Sequence, residues 1–380
     1  MEEINYKLIT TKDELNQAIN HLSKQDSLYL DLEFDKNHFT YGFNLCLMQI
    51  ASDEKCFLID PQADLDIEMI FPVLTNPKIR KFTYAFSEDI RLLHHLGCMI
   101  KNVADLATAR ILLNYNHVSL NNLIEEMTGI TFGKSHQKSN WEKRPLTEDQ
   151  LKYAAVDVVF LPQIAQDTIK ELEKEGRLGW FEDEISYLDT TDYSKSSHFI
   201  TVKESDKKYY TKREWLRYLA LLEFREDLAK EINRPGYRVI DKKILELLAK
   251  KPEQISEWPN FKMNIHRKIK NSETKQNIID LLASLEERFI AEKIPESAPA
   301  REQLSQLEKV NRNKQRASFN RKKSEYFQPL KDKIKSKYGE NLANYLLSNR
   351  MVIRYFYEGV PPLPYQKKIF EQEMGGWNVE

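Results

Sequence analysis

The stretch that decides the fold reads Ser27-Leu28-Tyr29-Leu30-Asp31-Leu32-Glu33-Phe34. Apolar Leu28, Leu30 and Leu32 alternate with Tyr29, Asp31 and Glu33, the period of two that a β-strand imposes. Side chains two apart on a strand share a face, so Asp31 and Glu33 stand side by side, about 6–7 Å apart along the backbone. Two carboxylates in that position repel each other, and burying them unpaired is costly. Either this is an edge strand with a wet polar face, or something positive sits against the pair. A divalent cation answers the second case directly, because hard cations take oxygen ligands.

The rest of the 380-residue chain bounds the possibilities. Its length has room for two or three domains with full cores. With 41% hydrophobic and 30% charged residues it reads as an ordinary globular protein and not as a disordered or fibrous one. No apolar run reaches the roughly 18–20 residues of a membrane span. The acidic start Met1-Glu2-Glu3-Ile4-Asn5 lacks the basic-then-apolar order of a secretory signal. Three unclustered cysteines, Cys46, Cys56 and Cys98, argue against a disulfide framework or a zinc site. A reducing cytoplasm is the expected home.

Charge is unevenly spread. Residues 1–190 hold 19 Lys+Arg against 31 Asp+Glu, residues 191–300 hold 22 against 18, and residues 301–380 hold 16 against 9. An acidic N-terminal half is thus tethered to a basic remainder. Such a division suits a polyanion held by the basic part while the acidic part needs cations to approach it. Two merely solvated surfaces would give the same counts.

Read in order, residues 1–190 alternate strand and helix signals. Tyr6–Thr10 reads as a short strand, and Thr11 with Glu14 as a capping box for a helix carrying Leu15, Ala18, Ile19 and Leu22. The Asp31 strand, Leu45–Ala51 and Cys56–Asp60 follow with short connections, as in an antiparallel meander. A helix around Leu65–Leu74, a strand over Lys78–Tyr84 and a helix over Ser87–Leu96 closed by Gly97 come next. The fold class is α/β with a mixed sheet. Residues 191–210 are polar and read as a linker. From Glu214 onward strand signals vanish, with helices expected near Trp215–Phe224, Asp241–Ala249, Pro252–Ser256 and Thr274–Ile290. A basic run from Arg312 to Lys337 leads to a last helical segment, Asn341–Tyr357.

Two further acidic points stand out. Ser87-Glu88-Asp89 follows a strand, at the carboxyl end where open α/β sheets place ligands. Ser87 as N-cap with acidic residues in the first turn is its structural explanation. In Tyr153-Ala154-Ala155-Val156-Asp157, positions i and i+4 share a helix face, and the flanking residues are apolar. An aspartate in so apolar a helix wants a partner. Tyr153 is equally readable as a core aromatic. Asp105 reads as a helix cap, and His94 and His95 as structural.

Asp31-Leu32-Glu33, Ser87-Glu88-Asp89 and Tyr153-x-x-x-Asp157 together resemble the motifs of the DEDDy class of 3′-to-5′ exonucleases. The stretch from Trp141 through Glu142-Lys143-Arg144-Pro145-Leu146 to Tyr153-Ala154-Ala155 is similar to the third-motif region of ribonuclease D, and Leu45–Ala51 is similar to the same family. Leu222-Glu223-Phe224-Arg225-Glu226, Asn233-Arg234-Pro235 and Leu245–Ala249 resemble the helical HRDC module. Leu346-Leu347-Ser348-Asn349-Arg350 is similar to a second one. Tyr84 departs from the family, which often has histidine there.

The resemblance implies a ribonuclease H-like exonuclease domain over residues 1–190, a linker at 191–210 and an HRDC helical domain at 211–293. A basic linker with a second HRDC-like domain would fill 294–380. It implies two divalent ions, Mg²⁺ or Mn²⁺, with Asp31 between both, Glu33 and Asp157 on the ion that activates water, and Asp89 on the other. Tyr153 would orient the attacking water. Trp141, Lys143 and Arg144 either contact the substrate or tie their loop to the surface. The implied activity is metal-dependent trimming of RNA 3′ ends, precursor tRNA and other small structured RNAs, releasing nucleoside 5′-monophosphates. A monomer is the favoured state. A DNA exonuclease with the same site, and a non-catalytic nucleic-acid-binding scaffold, are the alternatives.

Overall fold

A polar cap and an apolar stripe start the chain. In the computed structural model, which describes residues 4–129, 136–194, 202–301 and 305–376, strand β1 (Lys7–Ile9) leads into helix α1 (Lys12–Leu22). The Thr11 hydroxyl accepts from the Glu14 amide at 3.3 Å. The expected capping box reaches one residue further: the Glu14 carboxylate accepts from the Thr10 amide at 3.2 Å, not from that of Thr11. Leu15, Ala18 and Leu22 carry the buried face.

Five more strands complete one mixed sheet: β2 (Ser27–Lys36), β3 (Phe43–Ala51), β4 (Cys56–Ile59), β5 (Arg80–Thr83) and β6 (Val103–Asp105). Their order is β1-β4-β3-β2-β5-β6. Strands β3 and β4 are antiparallel across the Ser52–Lys55 turn, while β1–β4, β2–β5 and β5–β6 are parallel. The decisive point is that β2 lies inside the sheet, between β3 and β5. The wet-edge reading of the Asp31 strand therefore fails, and Leu28 and Leu30 are fully buried.

The connections differ locally from the sequence reading. The helix expected over 65–74 is a 3₁₀ turn, Ile67–Ile70, running into a single-turn α2 (Phe71–Leu74). Helix α3 (Ser87–His95) starts after Phe86, so Ser87 is its first residue and not its cap. Helices α4 (Leu106–Leu112), α5 (Leu120–Thr128), α6 (Glu148–Val159), α7 (Leu161–Lys174) and α8 (Leu178–Thr190) follow. Cys46, Cys56 and Cys98 are buried and not disulfide-bonded.

The chain forms two compact units. The second comprises Asp35–Asn44 and the helices between Glu204 and Leu307. Part of the expected linker, residues 195–201, lies outside the described residues; Glu204–Tyr209 is a 3₁₀ turn. Thr211 and Glu214 close a full capping box for α9 (Lys212–Glu231), followed by α10 (Gly236–Val239), α11 (Lys242–Lys250) and α12 (Ser272–Ala291). Trp215, Tyr218, Leu248, Trp258 and Ile278 are among its buried core. Among the described residues no helix is long and apolar enough to cross a membrane.

The basic C-terminal segment is set apart by its sequence, yet from Glu308 on it is built into the first unit. Helix α13 (Gln306–Lys322) precedes α14 (Gln328–Tyr338), α15 (Glu340–Leu346), α16 (Asn349–Tyr357) and α17 (Pro364–Met374). The last of these has no counterpart in the sequence reading. Trp180 stacks on Tyr365 at 5.5 Å and meets Tyr338 edge-on at 5.7 Å. The buried Glu184 carboxylate accepts from the Tyr365 hydroxyl at 2.5 Å. Such a seam merges the C-terminal helices with the core beneath α8.

One glycine decides how α15 joins. Gly339 has φ +100°, and a Cβ there would lie 2.1 Å from the Asn114 side chain. That side chain caps α15, its Oδ1 accepting from the Asn341 amide at 2.9 Å. Gly339→Ala is expected to cost about 2 kcal/mol or more, measured by urea unfolding. A loss below about 0.5 kcal/mol would show that the seam does not depend on this contact.

Candidate active site

Asp31 and Glu33 project from the interior strand β2 on one face. Opposite them runs α6, opened by a capping box in which Thr147 accepts from the Gln150 amide at 3.2 Å and Gln150 accepts from the Thr147 amide at 3.1 Å. Its inward face is Ala154, Ala155, Val158 and, among them, Asp157, which is 5% exposed. One carboxylate oxygen from each of Asp31, Glu33 and Asp157 lies within 4.8 Å of the others. Asp89, buried in the first turn of α3, completes the acidic group.

Burial dominates the electrostatics of all four. It pushes each carboxyl above its ordinary range. For Asp31 the charge of Asp157 adds to burial, for Asp89 that of Asp31, and for Glu33 those of Asp31, Asp157 and Asp89. Among the described residues, no lysine or arginine offsets any of them. Four buried, mutually repelling carboxylates with oxygen-only donors are a poor way to hold a fold together. They are a good way to hold a hard divalent cation.

Tyr153 stands one helical turn before Asp157, half-buried, its ring edge-on to His136 at 5.8 Å and tilted against Trp141 at 6.2 Å. Asp31, Glu33, Asp89, Tyr153 and Asp157 all line one cleft of about 700 Å³. The five residues that three separate motifs offered are thus brought together.

Trp141, Lys143 and Arg144 do not line that cleft. Trp141 is 2% exposed and packs beneath Tyr153. The Arg144 guanidinium is committed to the buried Asp60 through two bonds of 2.7 Å, and also donates to the carbonyls of Trp141 and Cys46. That clamp ties the loop before α6 to the end of β4 and to β3. Only Lys143 is exposed.

Two residues named from the sequence have supporting roles that it did not show. Asp105 caps α4, as expected, by accepting from the Ala107 amide at 2.9 Å. The same carboxylate also accepts from Ala85 at 2.9 Å and Phe86 at 3.2 Å. Ala85 has φ +56°, a left-handed bend at which the chain turns from β5 into α3 and so presents Asp89. In sequence, Asp105 shows only an ordinary capping aspartate. Tyr84, the departure from the family pattern, donates to the Val118 carbonyl at 2.8 Å and pins the cleft rim.

Residues 6–173 match the family model described as 3′-5′ exonuclease. A Bartonella henselae protein named ribonuclease D is 32% identical over 255 residues, 65% of this chain and 62% of that one. The chain therefore spans less than two thirds of that relative's length. A Gluconacetobacter diazotrophicus ribonuclease D is 28% identical over 302 residues, 78% of this chain and 74% of the relative. The crystal structure of Escherichia coli RNase D, titled an exoribonuclease involved in structured RNA processing, shares the fold. It has a TM-score of 0.68 at 23% identity, covering 98% of this chain and 96% of that one.

The raised carboxyl pKa values carry a stability consequence. A carboxyl with a raised native pKa binds its proton more tightly folded than unfolded, so stability falls as pH rises from the ordinary carboxylate range toward the raised values. Without a divalent cation the protein should lose stability from this cluster between about pH 4 and neutrality. Asp157→Asn should raise the metal-free Tm near neutral pH, by about 2–4 °C per kcal/mol of repulsion relieved. It should also remove most of the Tm gain that Mn²⁺ gives the wild type. An unchanged metal-free Tm together with an intact Mn²⁺ response, by calorimetry, would contradict the account.

Proposed function

We propose that this chain belongs to the ribonuclease D family and hydrolyses RNA from the 3′ end one nucleotide at a time, releasing nucleoside 5′-monophosphates. One observation carries the reading: one carboxylate oxygen each of the half-buried Asp31 and the buried Glu33 and Asp157 converge within 4.8 Å of one another. Asp89 and Tyr153 line the same cleft. Asp31, Glu33 and Asp157 would hold one divalent cation, and Asp31 with Asp89 a second, Mg²⁺ or Mn²⁺ by donor chemistry. Ions so held lower the pKa of water and neutralise charge on a leaving oxygen.

The chain's own residues do the positioning. Strand β2 fixes the spacing of Asp31 and Glu33, and α6 sets Tyr153 and Asp157 on one face. The packed ring of Tyr153 holds its hydroxyl at the cleft wall, where it orients the attacking water. The clamp of Arg144 on Asp60 keeps α6 in register with the sheet. The substrate class is precursor tRNA and other small structured RNA; the Escherichia coli RNase D is described as acting in structured RNA processing, and the basic balance after residue 190 suits a polyanion. The helical unit would serve as the HRDC module.

The test is incubation with a 3′-tailed tRNA and a matched single-stranded DNA, in Mg²⁺, Mn²⁺ or EDTA. Metal-dependent shortening of the RNA with release of 5′-monophosphates is expected. Asp31→Ala or Asp157→Ala should abolish it in a folded protein. Tyr153→Phe should slow it about 100-fold, the scale of a lost proton-handling or positioning group. Faster turnover of the DNA would favour the DNA exonuclease, and full activity in a folded Asp31→Ala protein would sink the assignment.

A further inference from the structure

Two rings pack against Tyr153, and each is fastened in its own way. Trp141, 2% exposed, is tilted against the phenol at 6.2 Å, and its carbonyl accepts from the Arg144 guanidinium that is clamped to Asp60. His136 meets the phenol edge to face, with ring centroids 5.8 Å apart and planes at 65°. The spacing Tyr153-x-x-x-Asp157 fixes where the tyrosine leaves α6, but not how its ring is held. Its neighbours decide that.

A turn over His136-Gln137-Lys138-Ser139 carries the imidazole. The Ser139 amide donates to the His136 carbonyl at 2.8 Å, the i to i+3 bond of a β-turn. The Ser139 hydroxyl and His136 Nδ1 lie 3.0 Å apart and close the same turn a second time, through side chains. Histidine suits this double duty, because one ring nitrogen serves the brace while the rest of the ring packs on a neighbour. The next residue, Gln137, lines the cleft with Tyr153, whereas His136 does not. The imidazole thus reaches the site through the phenol and not through the substrate.

A hydroxyl that orients a water must keep its place to within about 0.5 Å. A ring on a half-buried side chain keeps its place only where packing restricts its rotamers. We propose that His136 is a positioning residue for the hydrolysis: braced by Ser139, its ring holds the Tyr153 hydroxyl against the attacking water. The inference rests on the nuclease reading and on the part Tyr153 plays in it. It makes His136 and Ser139, outside the three acidic motifs, determinants of kcat and not of substrate affinity.

The test is steady-state shortening of a short oligoribonucleotide by the full chain in saturating Mn²⁺. His136→Ala should lower kcat about 10-fold and leave KM unchanged; a misplaced hydroxyl retains part of its effect, so the loss stays below the about 100-fold expected for removing it. His136→Phe keeps a ring against the phenol and should recover most of the wild-type kcat. Ser139→Ala removes only the brace and should lower kcat in the same direction. On a Tyr153→Phe background, His136→Ala should cost nothing further, because its effect runs through the hydroxyl. The Mn²⁺ gain in Tm should match wild type in each variant, which separates misplacement from lost folding or lost metal. Wild-type kcat in both His136→Ala and Ser139→Ala, a rise in KM alone, or an undiminished His136→Ala loss on the Tyr153→Phe background overturns the inference and leaves the nuclease reading standing. A His136→Phe protein as slow as His136→Ala overturns it as well, and gives the imidazole a proton-transfer role of its own. A wild type that leaves RNA intact in Mn²⁺ overturns the nuclease reading itself.

Discussion

The repulsion among Asp31, Glu33, Asp89 and Asp157 is the constraint on which the rest of this structure depends. Taken alone it opposes folding, because burial and like charge both raise the free energy of the ionised forms. The chain nevertheless places two of these groups on an interior strand, a third on an otherwise apolar helix face and a fourth in the first turn of another helix. An arrangement that is unfavourable without a cation becomes a selective site for one with oxygen ligands.

The scaffold around the cluster is rigid where geometry matters. Asp105 holds the left-handed bend at Ala85 through two amide bonds, and that bend aims α3 and its Asp89. The bidentate pair of Arg144 and Asp60, largely buried, anchors the loop that opens α6. Breaking either leaves a buried charge without its partners, a far larger penalty than losing an exposed ion pair. In this sense the residues nearest the chemistry owe their positions to charged groups that never touch it.

Much of this was legible in the sequence because it is periodic or local. Alternation marked β2, and the i, i+4 spacing put Tyr153 and Asp157 on one helix face. Their apolar neighbours said that Asp157 would be buried. What was illegible is non-local. Nothing in the run from Asn341 to Tyr357 says that the C-terminal helices merge with the core at Trp180 and Glu184, because that seam joins residues more than 150 apart in the chain. Ser87 looked like a cap by composition, yet with the bend held by Asp105 the cap position falls on Phe86 and Ser87 is the first helical residue. Whether Arg144 meets a substrate or ties its loop down stayed open in the sequence because its partner Asp60 lies 84 residues away.

The most direct measurement is an anomalous difference map from a crystal of the protein soaked in Mn²⁺ near neutral pH. The account predicts manganese peaks bound by oxygens of Asp31, Glu33, Asp89 and Asp157 in the cleft beside Tyr153. A well-ordered cleft with no peak at these carboxylates would contradict it, leaving a cluster of carboxyls that holds no cation and no basis for metal-dependent hydrolysis.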